Sequence, residues 1–162
     1  MFKVFLALFF SILLFSNTNA KPKCQGEDYS KWINCFGEYK NSNGRIYEGE
    51  FGEKPGVRHG FGSSKTTDGT YFIGEYKNDK AVKGKILYPD GSYYDGTYND
   101  KGNFHGNGKF FIKKDNTLFS GNWIDHKMQG MVIMENLNNN TKLMCKTSDG
   151  KVKDYEADCK PI

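Results

Sequence analysis

The sequence predicts an all-β protein in which tandem β-hairpins form one single-layer, twisted antiparallel sheet. Residues 21–162 contain twenty aromatic residues and nineteen glycines but only four leucines, and no segment has a leucine-rich stripe at helical period. A five-residue motif with glycine at its centre and an aromatic residue at each end recurs four times. The central glycines are 25, 22 and 25 residues apart, and a fixed period of this length is typical of repeat proteins.

The first twenty residues have the pattern of a secretory signal peptide. Lys3 supplies a positive charge, residues 4–15 form an apolar run, and small residues up to Ala20 predict cleavage after that position. An uncleaved membrane anchor is the alternative, but the run of twelve is shorter than the roughly twenty apolar residues of a spanning helix. We therefore expect an exported protein, either secreted or periplasmic.

Length and charge limit the classes of partner. Residues 21–162 are enough for one domain. Loss of Lys3 with the signal peptide leaves 22 basic and 19 acidic side chains, a net charge of +3. This balance, together with export, argues against nucleic acid as a partner.

Four cysteines in an exported chain predict two disulfides. If the hairpins form one continuous sheet of about eight strands, its ends lie several tens of Å apart, because each strand adds about 4.8 Å. A disulfide needs Cα atoms within about 7 Å, so each pair must lie at one end of the sheet. We expect Cys24–Cys35 and Cys145–Cys159. A zinc site is the alternative, although no Cys-x-x-Cys spacing occurs.

The first hairpin shows how one unit is built. Asn43-Gly44 predicts a turn, and the following strand alternates, so that Tyr47 and Phe51 share one face with the central glycine. A loop leads to a second strand that begins with His59, and an Asp-Gly turn signal follows it. Glycine inside a strand packs nothing, so its position between aromatics predicts a flat floor on which a ring from a neighbouring strand lies.

These residues resemble the MORN (membrane occupation and recognition nexus) repeat. The pattern is Gly-x-x-Tyr-x-Gly-x-aromatic, then a loop and His-Gly-x-Gly, and it covers about residues 44–130 as four units. Phe72 and Phe119 replace the usual tyrosine, Asn116 replaces the turn glycine, and residues 82–86 and 129–132 lose the histidine and one glycine. The resemblance implies a repeat array and an association with membranes or phosphoinositides.

Caps are expected at both ends of the array, because an unprotected sheet edge invites pairing with other chains. Residues 21–43 contain a degenerate unit, residues 32–39, that Cys24 would hold in place. Residues 131–162 predict a terminal hairpin, with strands at 131–135 and 141–146, followed by a turn towards Cys159.

The aromatic ladder of the four motifs is the candidate binding surface, since a single-layer sheet would leave its rings partly exposed along a groove. Its members are Tyr47, Phe51, Phe72, Tyr76, Tyr94, Tyr98, Phe119 and Trp123. A second apolar column, on the opposite face, consists of Ile46, Tyr71, Tyr93 and Leu118. Either column is a candidate for partner contact.

The sequence contains no arrangement typical of catalysis. His59 and His105 recur at one position of the repeat, which favours a structural role, and His126 has no evident nucleophile beside it. No segment follows a calcium-binding loop. We predict no enzymatic activity, no metal and no cofactor.

The expected function is therefore a non-enzymatic, exported repeat scaffold that binds another protein through the aromatic groove. The alternative is a module that binds phospholipid or cell-envelope glycan. Export weakens the phosphoinositide expectation, because those lipids belong to cytosolic leaflets.

Overall fold

The computed structural model describes residues 20–162, so the predicted signal peptide lies outside the described residues except for Ala20. Eleven antiparallel strands form one open, twisted sheet. The strands follow one another in chain order, so each pairs only with its neighbours in the sequence. The predicted all-β fold is confirmed.

The bounds of the strands follow the turn signals closely. They are β1 (Phe36–Lys40), β2 (Ile46–Phe51), β3 (Arg58–Lys65), β4 (Tyr71–Lys77), β5 (Lys80–Leu87), β6 (Tyr93–Tyr98), β7 (Phe104–Ile112), β8 (Thr117–Ile124), β9 (Lys127–Asn136), β10 (Thr141–Lys146) and β11 (Cys159–Pro161). A 3-10 turn at Tyr29–Lys31 and a short helix, α1 (Tyr155–Asp158), complete the described elements. The sheet is wider than the eight strands expected, because the two caps contribute β1, β10 and β11.

Burial alternates along the strands as the sequence predicts. In β2, Tyr47 and Phe51 are buried while Ile46 and Glu48 are exposed. In β4, Phe72 and Tyr76 are buried and their neighbours on either side are more exposed. The sheet therefore has an aromatic face, which carries the motif rings, and a reverse face.

Disulfides close both ends of the sheet. Cys24 pairs with Cys35 and Cys145 pairs with Cys159, with Cα–Cα distances of 4.9 and 4.0 Å. The predicted pairing is confirmed. Lys23 forms a parallel bridge with Phe36 along the outer edge of β1. At the other edge β11 has only three residues and ends in Pro161, which cannot donate a backbone hydrogen bond.

The terminal hairpin pairs as expected, but its first strand starts earlier than predicted. β9 begins at Lys127, directly after Asp125 and His126. Both of these residues have positive φ, 47° and 67°, as a two-residue hairpin turn of type I′ requires. The sequence lacks the usual glycine at this turn, so the prediction placed a loop there.

The aromatic face has two main clusters of buried side chains. One includes Trp32, Tyr47, Phe51, Phe72 and Tyr76, and the other includes Tyr94, Phe104, Phe119 and Trp123. Ile86 and Tyr98 pack against both clusters. The boundary between the clusters therefore lies at β5 and β6.

Candidate binding site on the aromatic face

The predicted ladder residues all lie on the aromatic face, and most of them form its core. Seven of the eight are buried, and only Tyr98 is half-buried. The expected partial exposure of the rings is therefore limited to Tyr98. Three motifs pack their two rings edge to face: the centroids are 5.6 Å apart for Tyr47 and Phe51, 5.3 Å for Phe72 and Tyr76, and 5.4 Å for Tyr94 and Tyr98.

Glycines provide the floor beneath the rings. Eight of them pair in register from β1 to β8 and form an unbroken row: Gly37, Gly49, Gly62, Gly74, Gly84, Gly96, Gly108 and Gly121. A Cβ atom on either Gly49 or Gly62 would lie 2.5 Å from the Tyr47 hydroxyl oxygen. The ring of Tyr47 thus covers a glycine of its own strand as well as one of the next strand.

The row ends where Val132 takes the place of a glycine. A Cβ atom on Gly121 would lie 2.7 Å from the Val132 Cγ1 atom, and Val132 is buried. The departure from His-Gly-x-Gly at residues 129–132 therefore has a packing role, because the valine fills the space over the last glycine.

Two residues outside the four motifs complete the packing of the aromatic face. The Arg58 guanidinium carbon lies 5.5 Å from the ring centroid of Tyr47 and 5.0 Å from that of Tyr76. The ring of Phe104 stacks on Tyr94, with centroids 3.7 Å apart and an angle of 6° between the planes. The sequence argument missed both, because it considered only the aromatic residues of the motifs.

β-Bulges place these two residues opposite the rings. Three residues of β3 and three of β7 oppose a single residue of the preceding strand, so Arg58 pairs with Phe51 and Phe104 pairs with Tyr98. Each bulge contains a glycine with positive φ, Gly60 at 108° and Gly106 at 75°. This conformation explains the first glycine of His-Gly-x-Gly.

The hairpin of β4 and β5 lacks this wide bulge. Lys83 pairs with Glu75 and Ala81 pairs with Tyr76, so only Val82 is extra. A small side chain, Ala81, thus stands opposite Tyr76. Beside it the aromatic face has a depression of about 260 Å³, which we call the notch. Its apolar lining consists of Phe72, Tyr76, Ala81, Ile86 and Tyr98.

The rim of the notch is polar and carries a positive charge. Arg45, Arg58 and Asp79 line it, together with Ser64, Thr66 and Thr70. Arg58 donates from Nε to the Asp79 carboxylate at 3.1 Å and from a terminal nitrogen to the Asp79 carbonyl oxygen at 2.6 Å. Within residues 20–162, Arg45 forms no ion pair.

Burial keeps the ladder tyrosines neutral. Removal from water raises the pKa of Tyr94 to about 12, and it raises the pKa of Tyr47, Tyr76 and Tyr98 above the ordinary value as well. The hydroxyls of Tyr47 and Tyr94 donate to the carbonyl oxygens of Glu50 and Thr97, at 3.0 and 3.1 Å. These rings are therefore structural hydrogen-bond donors.

The three histidines lie at exposed positions and apart from any nucleophile in the described contacts. Thr97 donates its hydroxyl to the carbonyl oxygen of His105, and the ring of His126 packs edge-on against Phe104 at 4.5 Å. Among residues 20–162, no group of three or more His, Cys, Asp or Glu side chains is placed to hold a metal ion.

The second apolar column on the reverse face is continuous over five strands, from Tyr71 to Leu118, whereas Lys65 separates Ile46 from it. Register pairs join the residues Tyr71, Leu87, Tyr93, Phe111 and Leu118. Leu87 is 41% exposed, and the Lys85 ammonium lies 4.1 Å from the ring centroid of Tyr93. The reverse face thus combines a mostly half-buried apolar column, in which Leu87 is exposed and Phe111 is buried, with basic groups.

Comparison with known proteins adds no relative to this description. Neither a protein-family model nor a curated protein matches the chain. In the part of the chain from Ala20 onwards, no helix is long and apolar enough to cross a membrane. The two disulfides are typical of an oxidising, extracellular compartment.

Proposed function

We propose that this protein is a non-enzymatic, exported scaffold of MORN-like repeats that binds another protein through its aromatic face. The single observation that carries the proposal is the notch, an apolar depression with a charged rim in the aromatic face. Interfaces between proteins are commonly anchored by side chains that fill such depressions. The recurring pattern of rings over glycines supports the repeat assignment. The proposal includes no catalytic step.

Two adjacent residues allow a sharp test of the face that binds. Tyr88 is half-buried against the cluster of the aromatic face, whereas Leu87, the last residue of β5, is exposed on the reverse face. The full chain is expressed with export into an oxidising compartment, and partners from the envelope and secreted fractions of the source organism are captured by cross-linking. We expect Tyr88→Asp to lose the partner and Leu87→Asp to retain it.

The captured protein is then purified and its affinity for the wild type and for both variants is measured by calorimetry. Near-ultraviolet circular dichroism and the melting temperature check that each variant is folded. Saturable binding that depends on Tyr88 supports the proposal. Equal binding by the wild type and the Tyr88→Asp variant, or no saturable partner in either fraction, contradicts it.

A second candidate function is binding to an anionic phospholipid surface through the reverse face. The observation that favours it is the apolar column beside a row in which Lys85 and the exposed Lys109 flank Asp95, which leaves one net positive charge in that row. Aromatic and basic side chains are both favoured at membrane interfaces. Co-sedimentation with vesicles of mixed neutral and anionic phospholipids tests this candidate. Here Leu87→Asp should abolish binding and Tyr88→Asp should not, the reverse of the protein-capture result. Insoluble cell-envelope glycan in the same assay tests the glycan alternative.

A further inference from the structure

A comparison of equivalent positions shows why the notch exists. In each hairpin, one residue of the second strand pairs with the last aromatic of the motif. These pairs are Phe51 with Arg58, Tyr76 with Ala81, Tyr98 with Phe104, and Trp123 with Met128. Three of the four second-strand residues are long or aromatic, and Ala81 is the exception.

The long residues bridge rings of two successive motifs. Arg58 lies over Tyr47, the first ring of its own motif, and over Tyr76, the second ring of the next motif. Phe104 packs in the same way on Tyr94, at 3.7 Å, and on Trp123, at 5.9 Å.

By the same rule, the residue at position 81 would bridge Phe72 and Tyr98. These two rings have centroids 5.6 Å apart and planes at 76°. The single methyl group of Ala81 is too short to lie over both of them. Phe72 and Tyr98 therefore line the notch without the bridging group that the neighbouring hairpins have.

A second small residue enlarges the gap from the loop side. Arg58 contacts Asp79, 21 residues further on, and Phe104 contacts His126, 22 residues further on. The residues 21 and 22 positions after Ala81 are Gly102 and Asn103, of which Gly102 lines the notch. A Cβ atom on Gly102 would have no neighbour within 4 Å. At the notch, position 81 therefore has no long side chain like Arg58 or Phe104, and the following turn provides no side chain like Asp79 or His126.

The space and its charge define what fits. A depression of about 260 Å³ with walls of aromatic and aliphatic carbon accommodates one aromatic side chain, which can pack edge-to-face against Phe72 and Tyr98. Arg58 is neutralised by Asp79, so Arg45 leaves the rim with a net charge of +1. A carboxylate next to the incoming ring would therefore be favoured.

We infer that the notch at Ala81 is the receptor for one aromatic side chain of a protein partner, presented beside an acidic residue. The inserted ring takes the position that Phe104 occupies in the next hairpin, and the acidic residue faces Arg45. This inference rests on the proposed function, because it names the contact that a protein partner makes on the aromatic face.

Titration with short peptides tests the inference directly. The probe is a terminally blocked hexapeptide of sequence Gly-Gly-Phe-Glu-Gly-Gly, added to the isotope-labelled full chain and followed by nuclear magnetic resonance. Peptides with leucine in place of phenylalanine, or glutamine in place of glutamate, are the controls. We expect shifts at the Ala81 methyl group and the Tyr98 ring, with weaker binding of both control peptides.

Filling the notch should block the peptide without unfolding the protein. Ala81→Phe supplies the missing ring, and we expect it to weaken binding at least about tenfold, equivalent to about 1.4 kcal/mol. Ala81→Met, the residue found at position 128, is the alternative if the larger side chain prevents folding. Arg45→Gln should weaken binding about two- to fivefold, as expected for an exposed ion pair, while Lys65→Gln on the reverse face should have no effect.

Two results would overturn the inference: equal binding by the wild type and a folded notch-filled variant, or no shift at the notch up to the solubility limit of the peptide. The outcome is separable from that of the proposed function. A partner that binds the wild type and Ala81→Phe equally, but not Tyr88→Asp, supports the scaffold and excludes the notch. If the peptide binds the notch but no protein partner can be captured, the proposed scaffold function is contradicted, whereas the ability of the notch to bind an aromatic side chain is supported.

Discussion

At the residue scale, the glycine row determines what the aromatic rings can do. Tyr47 and Tyr94 lie flat because the glycines beneath them have no side chains. A flat ring covers backbone from two strands at once, so apolar area is buried without a second layer of structure. The rings of the ladder are thereby used for stability, and we propose partner contact at the positions where the pattern is interrupted.

Adding one methyl group to the glycine row should disturb this packing. In Gly62→Ala, the new Cβ atom would lie 2.5 Å from the Tyr47 hydroxyl oxygen and 2.8 Å from its Cζ atom. The ring must move, and we expect the free energy of unfolding to fall by about 2–3 kcal/mol, typical of an overpacked core. Urea denaturation monitored by fluorescence measures the change.

Gly130→Ala is the matched control, because its Cβ atom would meet no neighbour within 4 Å but its φ is +68°. This backbone strain alone should lower the free energy of unfolding by about 1 kcal/mol. A smaller loss in Gly62→Ala than in Gly130→Ala would show that the ring is not held against the row.

Sequence reasoning predicted the residues of the core better than the residues of the site. Alternation and the glycine-centred motif placed Tyr47 and Phe72 on the buried face, because both patterns act within one strand. The roles of Arg58, Phe104 and Ala81 depend on which residues pair across a bulge. The recurring spacing before His-Gly-x-Gly was the available signal, since the residue ahead of the histidine is Arg58 in one hairpin and Phe104 in another.

At the scale of elements, bulges and turns control which side chains meet. The wide bulges of β3 and β7 move Arg58 and Phe104 over rings of the next hairpin, whereas β5 has only one extra residue, Val82, opposite β4. The loss of His-Gly in β5 is therefore a change in register, with the notch as its consequence.

The end strands depend on the disulfides in a way that can be measured separately. β11 has three residues and pairs only with β10, while Cys145 is buried and joined to Cys159. Replacing both Cys145 and Cys159 by alanine should lower the free energy of unfolding by about 2–4 kcal/mol. Hydrogen exchange should accelerate in β10 and β11 and remain slow in β4 to β6. Replacing Cys24 and Cys35 should instead accelerate hydrogen exchange in β1. Uniform acceleration across the sheet in either variant would contradict the view that each disulfide stabilises only its own end of the sheet.

The disulfide pairing was predictable because it follows from the architecture. An open sheet in chain order separates its two ends, which leaves one compatible pairing. The start of β9 was not predictable in the same way, because Asp125 and His126 both adopt a positive φ, which is uncommon for residues other than glycine. The pairing of β8 with β9 therefore holds a two-residue turn in place even though the turn contains no glycine.

At the scale of the whole molecule, every strand of the described sheet pairs only with its sequence neighbours, as in a quasi-one-dimensional array. The two ring clusters are joined through Ile86 and Tyr98, next to the notch. The proposed receptor thus lies at the junction of the two clusters, where an inserted ring would add contacts between them. Binding of a partner should therefore also stabilise the sheet.

Buried tyrosines should make this sheet sensitive to alkaline pH. The pKa of Tyr94 is raised from 10.0 to about 12 by burial, so below pH 10 it is protonated in both the folded and the unfolded chain. Above pH 10 the unfolded chain loses this proton while the folded chain keeps it. The free energy of unfolding should then fall by about 1.4 kcal/mol per pH unit for each such tyrosine, until the folded protein titrates. Urea denaturation at a series of pH values measures the slope. Tyr94→Phe should make the fall in the free energy of unfolding between pH 10 and 12 less steep by about 1.4 kcal/mol per pH unit, the contribution of one proton. An unchanged slope would show that Tyr94 ionises freely in the folded sheet.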